Sequence, residues 1–600
     1  MKMSISRSFN QEYTRPQWQT LVCFLIFVVM TTVKCIGFHQ LVFEEEVLEA
    51  EKWNVYFSSI GTVLILSSLF FLTRRLHWSI VVALLCDIWI IANIFYFRAN
   101  GLFLNMDAIK LADGLERAHS SLLTYRHWSM YVYVLSTLFY GYYVIRWVPR
   151  RGRRNGWAGM ATLAIGYACL IPVYRDLWIK QMPNVEQNID FYIKNGNSDT
   201  DCGQDHTHGK NGWKLFLPFQ QMRLYAIWST PSDLYLRNRN ILAYFPAIFV
   251  YDASLFRDKD LDAPSDRQLA FAMSDAPGDS IAQPVNLIVI LVESWEGWTL
   301  DSLDGEPIMP YTTQLLQQYP FYRHSQIVSQ VRHGVSGDGQ MTLNTGLLPI
   351  VNGAACIRFP SHTYPNFAHY YPHSVTITPN NGWNQHLVTY SYGYKELCVS
   401  PAAAWEDDYI MQKLTQILDT IGQPFCVQAV THTMHTPFNA APDQHIGLPD
   451  DTPDYLRGYI NSVRYTDLCL STFYEYFKRS DLPGNTVVLI TGDHTIFKQM
   501  MLKEFQEFAT RHHLSFANLK NYCPLLVCAP EFKEGRNLTG TAYQMDLFPT
   551  LLPLIGIDNY FWKGFGIDLL DSTAVRHYTP EEAYQLSNSI ICTDYFANNK

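Results

Sequence analysis

The stretch Val285–Ser294, VNLIVILVES, is an apolar and largely β-branched run that stops at Glu293. A run of this length without polar alternation predicts a strand buried on both faces. A carboxylate at the carboxyl end of such a strand stands where open α/β sheets place their ligands. Asn485–His494, NTVVLITGDH, repeats the pattern, with a glycine turn and then Asp493 and His494. Phe425–His435 is a third copy and ends in THTMH. Three buried strands delivering metal-type or acid/base side chains at the same end predict one active site.

From about residue 283 onward such strands alternate with helical patterns. VNLIVILV precedes YTTQLLQQ, FCVQAVT precedes the YLRGYINSVRYTDLCLSTFYEYFK helix, and TVVLIT and PLLVCAP follow. The alternation predicts βαβ units and a mainly parallel sheet covered by helices. Gln544–Leu570 reads as a short helix and a closing turn against the sheet edge.

The amino-terminal third is different. The chain has 600 residues, more than one core accommodates. Its mean hydropathy of −0.06 conceals an apolar beginning. Five apolar segments run roughly Trp18–Val33, Val55–Leu72, Trp78–Phe97, Trp128–Trp147 and Trp157–Tyr174, each near the length a helix needs to cross the hydrocarbon layer. Trp18, Trp78, Trp128, Trp147 and Trp157 stand at their ends as interfacial anchors do. The first segment lacks a small-residue cleavage site and reads as an uncleaved span. Lys2, Arg7 and Arg15, then Arg74 and Arg75, then Arg146, Arg150, Arg151, Arg153 and Arg154 alternate with the acidic loop Glu44–Glu51. The positive-inside rule then puts the amino terminus in the cytoplasm and, after five crossings, everything past about residue 175 outside. The expected organisation is a transmembrane domain over 1–175, a juxtamembrane linker with interfacial helices over 176–280, and an extracytoplasmic catalytic domain over 281–600.

Within the linker, Lys194–Gly212 is polar and rich in Gly, Asn and Asp. Its Asp205, His206 and His208 lack the apolar context of a metal site, so a solvated loop is the plainer reading. Trp213–Tyr251 mixes aromatics with arginines and suggests helices lying along the membrane surface. A net charge of −9 without a basic stripe gives no nucleic-acid footprint. Eight of the twelve cysteines fall in the exported part, which permits disulfides, but no CxxC pair or dense framework is present. Cys426, Cys523 and Cys528 sit in strand-like runs, where buried free thiols are as reasonable as bridges.

Glu293, Asp493 and His494 offer two carboxylates and an imidazole, none with a Lys or Arg partner in its local sequence. Divalent cations of hard or borderline character take that mixture of donors; the alternative for each residue alone is a strand-end cap or a buried ion pair. The nucleophile candidate is Ser336 in RHGVSGDGQMTLNTGLL. The glycines permit a tight loop, and a helix is expected to start near Gln340. A serine just ahead of a helix amino terminus lies in a field that favours its alkoxide and an anionic phosphate, although a capping serine in a Gly-rich turn would look the same. His435, followed by Thr-Pro-Phe, either caps a turn or serves as a phosphate donor and general acid, with His432 competing for that role. Arg464 and Asp467 are three apart on a helix and read as a structural ion pair.

The set ESW at Glu293–Trp295, GVSGDGQ at Gly334–Gln340, HTPF at His435–Phe438, NSVRYTD at Asn461–Asp467, GDH at Gly492–His494 and QMDLFPTLL at Gln544–Leu552 resembles the lipoteichoic acid synthase and phosphoglycerol transferase branch of the alkaline phosphatase/sulfatase superfamily. The five preceding spans match that branch as well. The resemblance implies a sulfatase-like (alkaline phosphatase-like) α/β domain and one divalent cation, Mn²⁺ first, with Mg²⁺ or Zn²⁺ as alternatives. Its ligands would be Glu293, the Ser336 hydroxyl oxygen, Asp493 and His494. It also implies a substrate-side histidine at His435 and a phosphoglycerol pocket at Trp383 and Asn384. Two positions depart from the pattern. Gln340 stands where members commonly carry an acid, and Gln385 where the pocket arginine follows Trp-Asn.

The expectation is a membrane-embedded transferase. It would move a phosphoglycerol-type head group from a phospholipid donor to a glycan or lipid acceptor through a covalent Ser336 intermediate. The competing readings are a phosphoethanolamine transferase acting on lipid A or a glycan, and a catalytically silent scaffold of the same fold. A transporter is disfavoured because the spans carry few charges, Asp87 being the main one. Sulfate hydrolysis through formylglycine needs a C/S-x-P-x-R pentapeptide; the nearest match, Cys528-Ala-Pro-Glu-Phe, lacks the arginine.

Overall fold

The computed structural model describes residues 17–43, 49–73, 76–100, 103–104, 127–148, 155–173, 240–246, 263–274, 284–351, 353–380, 382–401, 407–436, 438, 441–495, 502–514, 522–557 and 560–598. The chain forms two compact units, Met1–Arg98 with Tyr125–Leu255, and Ala99–Thr124 with Phe256–Lys600. The loop Lys194–Gly212, its Asp205, His206 and His208, most of Trp213–Tyr251, and the arginines at 74, 75, 150, 151, 153 and 154 lie outside the described residues.

In the first unit all five apolar segments are helical. Among the described residues four helices, not five, are long and apolar enough to cross a membrane: Gln19–Val42, Trp53–Leu72, Trp78–Arg98 and Gly156–Val173. The expected fourth span, Trp128–Trp147, forms a helix of 20 residues. Its five tyrosines (131, 133, 140, 142 and 143) bring polar hydroxyls that dilute its hydropathy. This helix still packs into the bundle. Lys34 Nζ donates to Asp87 Oδ1 and to Thr137 Oγ1, both at 2.6 Å, tying three helices through one buried cluster. Asp87 is thus ion-paired rather than free to line a pathway. Asn240 donates to the Ser58 carbonyl at 2.7 Å and Trp89 Nε1 to the Ile241 carbonyl at 2.8 Å, so residues 240–246 belong to this unit.

The second unit is built on a nine-stranded sheet. Its strands are β1 (Asn286–Val292), β2 (Tyr322–Val328), β3 (His373–Thr378), β4 (Glu396–Val399), β5 (Phe425–Val430), β6 (Thr486–Gly492), β7 (Tyr522–Cys528), β8 (Arg536–Asn537) and β9 (Ala542–Tyr543). The order is β8-β2-β7-β6-β1-β5-β3-β4, with β9 also on β2. Only β7 runs antiparallel to its neighbours, β2 and β6. The apolar runs have a simple cause. Leu287, Val289 and Leu291 of β1 enter one core while Ile288, Ile290 and Val292 enter the other, and Val487/Leu489 and Val488/Ile490 of β6 divide the same way. Both faces are covered by helices, so polar alternation would bury unpaired groups.

The expected helix forms over Asp454–Arg479 and buries one face in the second core. Arg464 and Asp467 on it do not form the expected ion pair. Arg464 donates to the Pro307 carbonyl, while Asp467 accepts from Tyr311 N, Thr312 N and Thr312 Oγ1 at 2.6–2.9 Å and caps the Pro310–Gln318 helix. No disulfide joins the described cysteines, and Cys426, Cys523 and Cys528 are buried in their strands. The tail contributes a 3-10 turn at Gln544–Asp546 and the Leu547–Leu554 helix behind the edge strand β9.

Candidate active site

The parallel register brings the site together. Val292 of β1 pairs with Gly492 of β6, so Glu293 and Asp493 are the next residues of adjacent strands, and Asp493 N donates to the Val292 carbonyl at 3.2 Å. On the other side Thr431, just past β5, donates its N–H to the Leu291 carbonyl, and its hydroxyl accepts from Glu293 N at 3.0 Å. The carboxyl ends of three neighbouring strands therefore converge. Glu293, Asp493 and His494 are buried, and one donor atom from each lies within 4.8 Å of the others.

Ser336, which follows a strand on a separate segment, completes the group. The helix starts at Ser336 itself and runs to Thr345, not from near Gln340 as its glycines suggest. Val335, which precedes it, has φ 43° and ψ −113°, a strained conformation for a β-branched residue. An added Cβ on Gly339 would lie 2.2 Å from the Asp493 carbonyl oxygen, so that glycine is needed for close approach. The result is that Ser336 Oγ donates to Glu293 Oε2 at 3.1 Å and sits 3.2 Å from His494 Nε2.

The electrostatics follow from two buried carboxylates this close. His494 Nδ1 lies 3.0 Å from the Thr495 carbonyl oxygen, which accepts its proton and leaves Nε2 facing the cluster. Burial opposes charge on this ring, but the Asp493 carboxylate and the bond to Glu293 raise its pKa to about 9. Glu293 is likewise opposed by burial, yet His494 holds it below the usual carboxylate range. Burial and the Glu293 charge push Asp493 up to about 7. Its Oδ1 accepts from Ser294 N at 2.9 Å and His494 N at 2.7 Å, whereas Oδ2 is buried with no hydrogen-bond partner.

That orphaned oxygen, the inward Nε2, the Glu293 carboxylate and the Ser336 hydroxyl form an oxygen-rich donor set with one nitrogen. It fits a divalent cation of the Mg²⁺, Mn²⁺ or Zn²⁺ kind. His435 is exposed in the loop after β5, with Nδ1 2.7 Å from the Thr436 carbonyl, which leaves Nε2 for a ligand. His432 lies beside it, ring centres 5.0 Å apart, and both rings bear electrostatically on Glu293. Trp383 and Asn384 occupy consecutive left-handed positions with φ 55° and 54°. Trp383 packs over Gly337 at the start of the serine helix, and Asn384 donates to the Cys356 carbonyl at 2.9 Å.

The two departures from the family pattern touch each other. Gln385 Nε2 donates to Gln340 Oε1 at 3.0 Å; both are buried, and Gln340 lies one helical turn beyond Ser336. Sequence reading missed the roles of Ser294, Thr431, Tyr459 and Gln544. Gln544 Nε2 donates to the Asp493 carbonyl at 2.6 Å. Ser294 and Gln544 stood inside quoted motifs, but only the fold shows what they touch.

A mainly parallel sheet with carboxylate and imidazole groups around a hydroxyl at its carboxyl edge defines a sulfatase-like α/β domain. The Sulfatase family model matches residues 359–557, and the model of the lipoteichoic acid synthase N-terminal domain matches residues 3–183. Both matches support a likeness to the lipoteichoic acid synthase branch of the alkaline phosphatase/sulfatase superfamily. It is 24% identical over 338 residues to lipoteichoic acid synthase 1 of Bacillus subtilis (strain 168), covering 51% of this chain and 52% of the relative. It is 25% identical over 311 residues to lipoteichoic acid synthase of Staphylococcus saprophyticus, covering 48% of each. The chain thus spans about half the length of the curated relatives it matches. Among solved structures, the lipoteichoic acid synthase LtaP of Listeria monocytogenes superposes with TM-score 0.45 and 18% identity, over 58% of this chain and 98% of that one.

Proposed function

We propose that this protein is a membrane-anchored, metal-dependent transferase that moves a phosphoglycerol-type head group from a phospholipid to an extracytoplasmic acceptor through a covalent Ser336 ester. The observation that carries the reading is the Ser336 hydroxyl, 3.1 Å from Glu293 and 3.2 Å from His494 at the edge of a buried carboxylate–imidazole cluster. Glu293, Asp493, His494 and the Ser336 oxygen would hold the cation. Bound there, it supplies Lewis-acid stabilisation of charge on serine and phosphoryl oxygens. The names of the relatives support the same chemistry.

Ser336 releases its proton to solvent ahead of the reaction; in the first step its Oγ bonds phosphorus as the P–O bond to diacylglycerol breaks, and the same alkoxide returns when the ester is cleaved. His435 delivers the proton to the departing alcohol from Nε2. In the second step an acceptor hydroxyl gives its proton to His435, its oxygen bonds phosphorus and the P–Oγ bond breaks. Trp383 and Asn384, against the first turn of the serine helix, would form a wall of the head-group pocket. Tethering to a membrane by the apolar helices would raise the effective concentration of a lipid donor.

A phosphoethanolamine head group is the second reading. The neutral Gln340–Gln385 pair supports it, because no fixed cationic side chain stands where the family pattern puts arginine. Purified protein with Mn²⁺ and fluorescent phosphatidylglycerol or phosphatidylethanolamine separates the two. Diacylglycerol release from phosphatidylglycerol and a phosphoglycerol mass on the Ser336 peptide are expected. Release from phosphatidylethanolamine alone would move the assignment to that head group. Release from neither lipid, with metal bound, would leave a silent scaffold.

A further inference from the structure

Ser294 follows Glu293 directly, and φ 51° puts it in the left-handed region that serine seldom occupies. A conformation of that kind persists only where its surroundings over-determine it, and here every polar group of the residue is engaged. Its hydroxyl donates to Glu293 Oε1 at 2.7 Å. Its N–H donates to Asp493 Oδ1 at 2.9 Å. Its carbonyl accepts from the buried Tyr459 hydroxyl at 2.9 Å, and that same hydroxyl accepts from Glu296 N at 3.1 Å.

We propose that Ser294, clamped by Tyr459 of the Asp454–Arg479 helix, is a positioning residue that sets the oxygen atoms presented to the cation. The proposal rests on the cation site described above. The hydroxyl holds Glu293 Oε1, which also lies 3.2 Å from His494 Nε2, while Oε2 faces Ser336 and accepts from it at 3.1 Å. The N–H joins that of His494 on Asp493 Oδ1, so Oδ2 is the oxygen left without a hydrogen-bond partner. One residue thereby orients two carboxylates that come from different strands. The positive φ is what lets the N–H and the hydroxyl reach those two carboxylates from a single position. An extended dihedral would instead carry the chain on in the direction of β1. Outer ligands of this kind typically govern metal affinity by 10–100-fold.

The test is Mn²⁺ titration of the full-length protein by calorimetry, with the Mn²⁺-induced rise in melting temperature as a second readout. Ser294→Ala should weaken Mn²⁺ binding roughly 10–100-fold. Its metal-free melting temperature should stay close to that of the parent. Ser294→Gly adopts positive φ without cost and keeps the N–H bond, so it remains testable if the alanine variant folds poorly. It should weaken binding to a similar extent, because relief of strain does not restore the hydroxyl. Tyr459→Phe should give a smaller loss. If Glu293→Ala abolishes Mn²⁺ binding while both Ser294 variants titrate like the parent, the positioning role is overturned and the cation site stands. If the parent binds no Mn²⁺, the cation site itself is overturned.

Discussion

Ser336 is the residue on which the proposed chemistry turns. Ser336→Ala should lower head-group transfer by roughly 10³-fold or more, since the nucleophile cannot be replaced by a neighbour. The check is diacylglycerol release together with loss of the peptide adduct. The Gln340–Gln385 contact makes a different claim, about charge. Gln385→Arg alone buries a guanidinium against an amide and should cost about 3–5 kcal/mol. Adding Gln340→Glu should recover most of that, and urea denaturation of the four proteins of the cycle measures the coupling. His432 carries the pH prediction. Burial and the neighbouring His435 lower its pKa from 6.5 to about 4. Between those values the unfolded chain binds the proton and the folded chain does not. The stability from the neutral ring is therefore complete above pH 6.5 and is lost as pH falls toward 4, by at most about 3 kcal/mol. Thermal melts from pH 4 to 7 should show that slope in the parent and a shallower one in His432→Asn.

Among the elements, the Ser336–Thr345 helix shows how local signals mislead. Glycines at 337 and 339 read as a loop, but Gly339 is present because backbone of the β6 end passes against it, and Gly337 because Cys356 and Trp383 do. Gly339→Ala should push the helix off Asp493, abolishing turnover and weakening Mn²⁺ binding, as activity and calorimetry would report. The Asp467 carboxylate is the counterpart at the Pro310–Gln318 helix. It accepts three hydrogen bonds at the helix start, and Asp467→Ala should destabilise the domain by about 2–4 kcal/mol in denaturant titration. Its spacing from Arg464 suggested a pair along one helix. The capping demand of a second helix, satisfied by a buried acceptor, prevails over that local contact.

For the chain as two units, the consequence concerns where stability is gained. A cation held by Glu293, Ser336, Asp493 and His494 binds the folded second unit and not its unfolded chain. Mn²⁺ at 100 times its dissociation constant should therefore add about 2.7 kcal/mol to that unit's stability. A calorimetric scan should show one transition that rises with Mn²⁺ and falls on chelation. The first unit owes its cohesion to helix packing and to the buried Lys34–Asp87–Thr137 cluster, and its transition should not move with the cation.

Much of the second unit was legible in the sequence because its strands are buried on both faces. A strand with helices on each side must be apolar at every position, and the first polar residue beyond it is then conspicuous. That is why Glu293, Asp493 and His494 could be read as strand-end groups before any geometry was known. The apolar helices of the first unit were legible for a similar reason; in Trp128–Trp147 tyrosines reduce the hydropathy of a helix that packs with the others. What only the tertiary structure decided is which atoms meet. The helix start at Ser336, the Gln340–Gln385 contact, the Asp467 cap and the Ser294 clamp all join residues distant in sequence, or depend on a backbone dihedral imposed by such neighbours. Periodicity reports what a segment buries. It carries no information about which oxygen of a carboxylate is left to face a metal.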